Sequence, residues 1–532
     1  MHAHHLFRLS LLSALVTSAH AVTVPALPGS TTLERGGYRM TPIDKAPQRR
    51  DWEKEAQAPL AGCKVVPPAP AAQGGTVSIE TLVKDRYFNK FFQGGGRLER
   101  LVVQQKGVPK AIVIHSGVWR LSQLQARLAA EEGALLRQDR AYLLRLPLLL
   151  REGAGLVVES GESLRLSRDR GAFLINLGRL HVQNARLEAW DEATKAVAQS
   201  APGSGAENGA AAPAAPAAGD GFQPFLLGWS GSLTVIHDAQ VSGLGFAENL
   251  AHGLEFAVGP IGLAGVQLPP PPRVHVIGSS LDGLYSGVRG SGIPEMRICQ
   301  NHFLQSRQNA VHLEAGSSGV VAENRITQTQ GPYALYFNKS ARNVWVIRND
   351  ISENNRSGLS ISDSHDIVIA GNTIRQNFDA VFLQGSDHVL MAGNRIIDNQ
   401  RHGVSMRSVG QVRFQDEHIG PNRGVGIMAL GGGETVASTP AVSSGGKAPP
   451  RKAGIRRIEL LGVALEGNHS STMVVEPPYT VVLDRADVIY PDVRRRPVFR
   501  GVLNAFEKDI LYLMPRQKTL QLSPMAQATA GE

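Results

Sequence analysis

The stretch "VVAENRITQTQGPYALYFNKSARNVWVIRNDISENN", residues 320–355, states one pattern twice: an apolar run, an asparagine, one residue, an isoleucine, then polar residues. The same pattern extends in both directions. Asn301, Asn324, Asn349, Asn372 and Asn394 each follow an apolar run, and each is followed at the second position by an apolar residue, as in "AENRI", "IRNDI", "AGNTI" and "AGNRI". The intervals are 23, 25, 23 and 22 residues, and Ser280 and Asp416 extend the series by 21 and 22. A period of this size means one supersecondary unit stacked many times. Leucine-rich repeats share the period but need a leucine consensus that is absent here. Short strands, glycine turns and a periodic asparagine instead predict an all-β solenoid, a right-handed parallel β-helix with coils of roughly 22–25 residues. Each coil supplies three short strands, and equivalent positions stack about 4.8 Å apart. Stacked asparagines then pair their side-chain amides inside a turn, so these residues read as structural.

Composition agrees with a turn-rich β protein. Of 532 residues only 19% are charged, 57 are glycine and few are aromatic. The length exceeds one ordinary core unless the fold is elongated. Residues 1–21, "MHAHHLFRLSLLSALVTSAHA", have a basic start, a short apolar run and the triplet Ala19-His20-Ala21. They read as a signal peptide cleaved after Ala21, which places the mature protein outside the cytoplasm. No later stretch reaches the roughly 18 apolar residues of a membrane span. Residues 22–104 are rich in Pro, Ala and Gly, and the β-helix is expected over 105–435. Two low-complexity segments, 200–221 and 436–454, read as a disordered insertion and a linker. Residues 122–140 look helical, and 455–532 form a C-terminal β or cap region. Cys63 and Cys299 are the only cysteines, too few for a disulfide framework or a zinc site, and the reading favours no bridge.

The net charge is +9, or +8 once Arg8 leaves with the signal. An exported basic protein with scattered arginines suits an anionic polysaccharide better than nucleic acid or a membrane surface. Counting back from each turn asparagine finds the columns of an exposed sheet. Twelve positions before lie Arg289, His312, Phe337 and Ser360. Ten before lie Glu314, Lys339, Ser362 and Gln384, with Met406 counted from Asp416. Nine before lie Asp363 and Arg407, and Tyr336 is thirteen before Asn349. The extra residues of the 25-residue coil can shift this count and turn side chains to the other face. The functional reading is a shallow groove carrying His312, Glu314, Tyr336, Lys339, Asp363 and Arg407, in which basic groups hold a carboxylate and His or Tyr moves a proton. The plain alternative is an ordinary cross-strand ion pair between Glu314 and Lys339 beside a packed His312.

Five phrases carry a family resemblance: "RGAFLIN" (170–176), "FQPFLLGWSG" (222–231), "RHGVSMRS" (401–408), "GVALEGN" (462–468) and "FRGVLNAFEKDILYLMPRQK" (499–518). In this order they resemble the periplasmic mannuronan C-5-epimerases of alginate-producing bacteria, over roughly residues 105–520. The resemblance implies a right-handed parallel β-helix, a periplasmic location, and conversion of polymeric β-D-mannuronate residues to α-L-guluronate without cutting the chain; no cofactor or metal is expected. It also implies exopolysaccharide secretion proteins as candidate partners. The family's Asp-Pro-His-Asp motif is absent. The matching coil reads "NAVHLEAGSSGVVAEN" (309–324), where Glu314 falls near the family histidine and His312 two positions earlier. Lys339 in "YFNKSARN" matches the carboxylate-neutralising arginine, and Tyr285 matches a groove tyrosine, although Gly287 stands where a second tyrosine is expected. The resulting expectation assigns catalysis to His312, Glu314, Tyr336 and Lys339, and substrate binding to Tyr285, Arg289, Asp363 and Arg407. The retained His312, Tyr336 and Lys339 favour an epimerase, with a polyuronate lyase as a close chemical variant. The missing motif favours an inactive binding or scaffold protein of a secretion system.

Overall fold

Three long sheets wind around one apolar interior. The computed structural model describes residues 32–82, 102–131, 133–199, 221–229, 231–258, 269–431, 456–489, 498–516 and 518–525. The expected signal peptide, residues 200–220 of the expected insertion and the expected linker 436–454 lie outside the described residues. One coil shows the plan. Arg342–Ile347 belongs to sheet I, Asp350–Ser352 to sheet II and Ser357–Ser362 to sheet III. Each strand pairs in parallel with its counterpart one coil on, giving sheets of 16, 15 and 15 strands among the described residues.

The alternating sequence drives this arrangement. Val311, Leu335, Leu359, Val381, Val404 and Ile427 stack in register and point inward, all fully buried. Each such side chain contributes about 1.5–3 kcal/mol on leaving water. The coil between sheets I and II turns at the asparagines. Asn301 donates from Nδ2 to Oδ1 of Asn324, Asn324 to Asn349, Asn349 to Asn372 and Asn372 to Asn394, at 2.9–3.0 Å. The ends of this ladder differ from the count by one residue. The backbone N–H of Ser279, not Ser280, bonds Asn301, and Asn394 bonds Glu417, not Asp416. A second ladder runs through Asn354, Asn377, Asn399, Asn422 and Asn468 at the turn between sheets II and III.

The solenoid does not end at 435. Arg457–Leu461, Ala464–Glu466 and Ser471–Val475 continue the three sheets, and Phe499–Gly501 adds a last strand to sheet III. The expected helix over 122–140 shrinks to Leu121–Arg127, followed by the strand Leu135–Gln138.

Described parts of the N-terminal segment pair with both ends of the solenoid. Tyr38–Ile43 pairs antiparallel with Thr519–Pro524, and that strand covers Thr480–Asp484 at the C-terminal edge of sheet I. Val77–Thr81 pairs antiparallel with Lys110–Ile114 at the other end of the solenoid, on sheet III. Antiparallel caps of this kind remove the open edges that invite aggregation. Between the two caps the chain runs back along sheet I. Its helix Trp52–Cys63 packs Ala56 and Cys63 against Ile277, Cys299, Ala322 and Ile347. Cys63 and Cys299 form a disulfide, against the expectation of no bridge. The pairing crosses 236 residues and depends on where this strap lies, which sequence spacing does not reveal. No helix among the described residues is long and apolar enough to cross a membrane.

Candidate functional site

Sheet III carries the expected groups on its outer face. Its register aligns Glu255, Arg289, His312, Tyr336, Ser360, Phe382 and Ser405 in one column. Tyr336, not Phe337, is the partner of His312, and Phe337 is fully buried in the core. One of the extra residues of the 25-residue coil falls between this strand and Asn349, so the count is displaced by one position and alternation exchanges inside for outside. The next outward column runs Ser291, Glu314 and, further along, Ser362, Gln384 and Arg407. Arg407 therefore takes the place counted for Met406, which is buried.

Charges converge at one end of these columns. Glu314 is buried and shared by two cations. Arg289 Nη2 donates to its Oε1 and Lys339 Nζ to its Oε2, each at 2.8 Å. Burial raises the Glu314 carboxyl, but Arg289, His312 and Lys339 outweigh it and hold the group down at about 2. Glu314 is thus an ionised anchor and a poor proton acceptor near neutral pH.

Arg289 is itself buried and held from a second side. Its Nη1 lies 3.2 Å from His252 Nε2, and His252 Nδ1 lies 2.8 Å from Glu255 Oε2. His252 thus bridges the Glu255 carboxylate and the Arg289 guanidinium. Burial raises the Glu255 carboxyl, and His252 and Arg289 together bring it below its ordinary value. His252 and Glu255 escaped the sequence reading because Glu255 lies 34 residues before Arg289, outside the regular period.

Beside this network stands an aromatic stack. His312 is only 2% exposed, and its ring centroid lies 4.8 Å from that of Tyr336. Tyr333 continues the stack at 4.8 Å. His312 Nε2 lies 3.1 Å from Asn338 Oδ1. Lys339 and Ser340 both adopt positive φ, so the chain turns sharply where it presents the ammonium to solvent. Tyr333 and Asn338 were not singled out from the sequence.

The remaining expected residues are spread more widely. Tyr285 is buried, with its ring 5.8 Å from that of His252. Gly287 has no room for a side chain, because a Cβ there would meet Ala310 O at 2.4 Å and Phe303 Cδ1 at 2.6 Å. Asp363 and Arg407 are exposed at strand ends, one and three coils beyond Lys339. In the coil of "RHGVSMRS", Arg401 grips Asp379 with two hydrogen bonds of 2.9 and 2.6 Å. Nδ1 of His402 accepts from the Val425 N–H. Among the described residues no three His, Cys, Asp or Glu side chains gather in a way that would hold a metal ion.

Known proteins share this architecture and its sequence. The family model described as "Right handed beta helix region" matches residues 286–439. Mannuronan C5-epimerase AlgG of Azotobacter vinelandii is 28% identical over 467 residues, covering 86% of this chain and 84% of its own. The mannuronan C5-epimerase of Pseudomonas aeruginosa is 24% identical over 505 residues, covering 92% and 88%. This chain is similar in sequence to the mannuronan C5-epimerases. The crystal structure of the periplasmic alginate epimerase AlgG superposes with a TM-score of 0.67 at 21% identity, over 86% of this chain and all of that one. The matches extend well beyond the repeats, and the fold is the right-handed parallel β-helix that the asparagine period predicts.

Proposed function

We propose that this protein is a mannuronan C5-epimerase of the periplasm, acting on a polyuronate chain laid across the outer face of sheet III. The observation that carries the reading is the exposed ammonium of Lys339, pinned by buried Glu314 beside the His312–Tyr336 stack. Epimerisation removes H5 as a proton from a carbon next to a carboxylate. The electron pair left behind spreads into that carboxylate, so a cation there lowers the barrier. A proton then returns to C5 from the opposite face, and no bond of the polymer backbone breaks.

Lys339 neutralises the substrate carboxylate. Glu314 fixes its position and leaves its remaining N–H groups directed outward. His312 and Tyr336 act together as the proton-handling pair, since the tyrosine ring covers the buried histidine. Arg289 is committed to Glu314 and His252, and so positions the anchor rather than gripping substrate. Asp363 and Arg407 extend the binding face, and Tyr285, packed beside His252, supports it from below.

The polymer partner is an anionic polysaccharide, and exopolysaccharide secretion proteins are its natural neighbours. Residues 1–21 direct export with cleavage after Ala21, and the Cys63–Cys299 bridge suits an oxidising compartment. Mass spectrometry of the mature N-terminus tests the cleavage site.

The decisive assay incubates the purified protein with polymannuronate in deuterated water and follows C5 by NMR. Deuterium at C5 with guluronate formation is expected. Unsaturated chain ends, read by ultraviolet absorbance, would make it a lyase. Burial of His312 and the absent Asp-Pro-His-Asp motif favour one second reading, a non-catalytic polysaccharide scaffold. Binding abolished by Lys339→Ala with no C5 exchange in the parent would establish it.

A further inference from the structure

A cavity of about 890 Å³ lies away from the sheet III face, along the corner where sheet II turns into sheet III. Thr329, Asn354 and Asn422 line its floor, and they belong to the second amide ladder, which runs from Thr329 through Asn354, Asn377, Asn399 and Asn422 to Asn468. These residues are buried, and the residue on each side of every asparagine turns outward, making two parallel rows. Gln328, Glu353, Gln376 and Asp398 form the first row, all exposed and all at positive φ. Gln330, Asn355, Phe378, Gln400, Arg423 and His469 form the second. The rows span five coil steps, about 24 Å at the spacing of strands in a sheet.

The chemistry of the rows is specific. Side-chain amides offer a donor and an acceptor together, which matches vicinal hydroxyls. Phe378 is 40% exposed, the one aromatic among the large apolar side chains left exposed in the described residues. The guanidinium of Arg401 lies 5.0 Å from its ring centroid and steadies it. An aromatic face set in a row of amides suits the C–H face of a sugar ring. Glu353 and Asp398 outnumber Arg423 along the cavity wall, so a densely carboxylated chain is disfavoured here.

We infer that this trough is a second carbohydrate-binding site, separate from the sheet III groove, for an uncharged, hydroxyl-rich stretch of polysaccharide. The probe is β-1,4-linked mannohexaose, in which hydroxymethyl groups replace the carboxylates of mannuronate, titrated calorimetrically and by saturation-transfer NMR. Binding indifferent to salt is expected, because no charge on the sugar is neutralised. Phe378→Ala should weaken it about tenfold, Gln376→Ala with Gln400→Ala should abolish it, and Lys339→Ala should leave it unchanged. The mannuronate hexamer should behave in the opposite way, with binding that salt weakens and Lys339→Ala removes. No binding of mannohexaose at about 10 mM, binding indifferent to the three trough substitutions, or binding lost in Lys339→Ala would overturn the inference. Failure of the mannuronate hexamer alone would count against the epimerase reading and leave the trough intact.

Discussion

Lys339 and Glu314 face each other across adjacent coils at 2.8 Å, yet the lysine side chain is 68% exposed and the glutamate 8%. The pair thus converts a buried anion into a fixed surface cation. Lys339→Ala should change stability by within about 1 kcal/mol, as exposed ion pairs contribute little, while polymannuronate affinity and turnover fall together. Glu314→Ala should cost about 3 kcal/mol because it strips a buried guanidinium of its hydrogen-bonded carboxylate and leaves it only the more distant Glu255. The folded Glu314 carboxyl sits below its ordinary value of 4.5, so its contribution is complete above pH 4.5 and is lost as pH falls towards about 2. Thermal melts across that range should show a steeper acid decline for the parent than for Glu314→Gln.

Tyr336 and His312 should separate binding from chemistry. Tyr336→Phe keeps the ring stacked at 4.8 Å and removes only the hydroxyl. C5 exchange should fall about 100-fold, with KM nearly unchanged. His312→Ala should abolish exchange to a similar or greater degree. Unaltered exchange in either variant would remove that residue from the proton path.

Asn349 anchors the middle of the first ladder through four hydrogen bonds. Its Nδ2 donates to Val321 O and Asn372 Oδ1, and its Oδ1 accepts from the N–H and Nδ2 of Asn324. Asn349→Ala should lower unfolding free energy by about 2–4 kcal/mol, measured by urea denaturation, without a direct effect on groove chemistry.

Glu417 ends that ladder fully buried, accepting from the Asn394 backbone N–H and Nδ2. Burial pushes its carboxyl up from 4.5 to about 8 despite these hydrogen bonds. The folded state therefore binds the proton more tightly than the unfolded chain. Its penalty is absent below pH 4.5, grows as pH rises and is complete above about 8. Glu417→Gln keeps an acceptor without the ionisation, and should gain in melting temperature over the parent between pH 5 and 9.

The disulfide fastens the N-terminal strap to sheet I. Cys63→Ser should cost about 2–4 kcal/mol. Trp52, which leads the same helix, packs over Gly371 and Gly393, and a Cβ at Gly393 would fall 2.8 Å from its Cζ2. Gly393→Ala should loosen the strap, read as faster proteolysis within residues 52–63, while the solenoid stays folded.

The sequence by itself determined the solenoid, because buried amides must pair and only a repeat of fixed geometry brings Asn324, Asn349 and Asn372 together. It also placed Lys339 one coil beyond His312 and Glu314, which share a strand, since one period separates the two coils. Tertiary structure decided what the count could not. Coil length varies, so only the hydrogen-bonded register shows that Tyr336 and not Phe337 faces His312, and that Glu417 and not Asp416 closes the ladder. Glu255 joined the site through an irregular coil, and Cys63 met Cys299 through a strap that follows no period. Local patterns report which face a residue takes while the repeat is regular; where residues are inserted or segments pack from afar, only the folded contacts assign it.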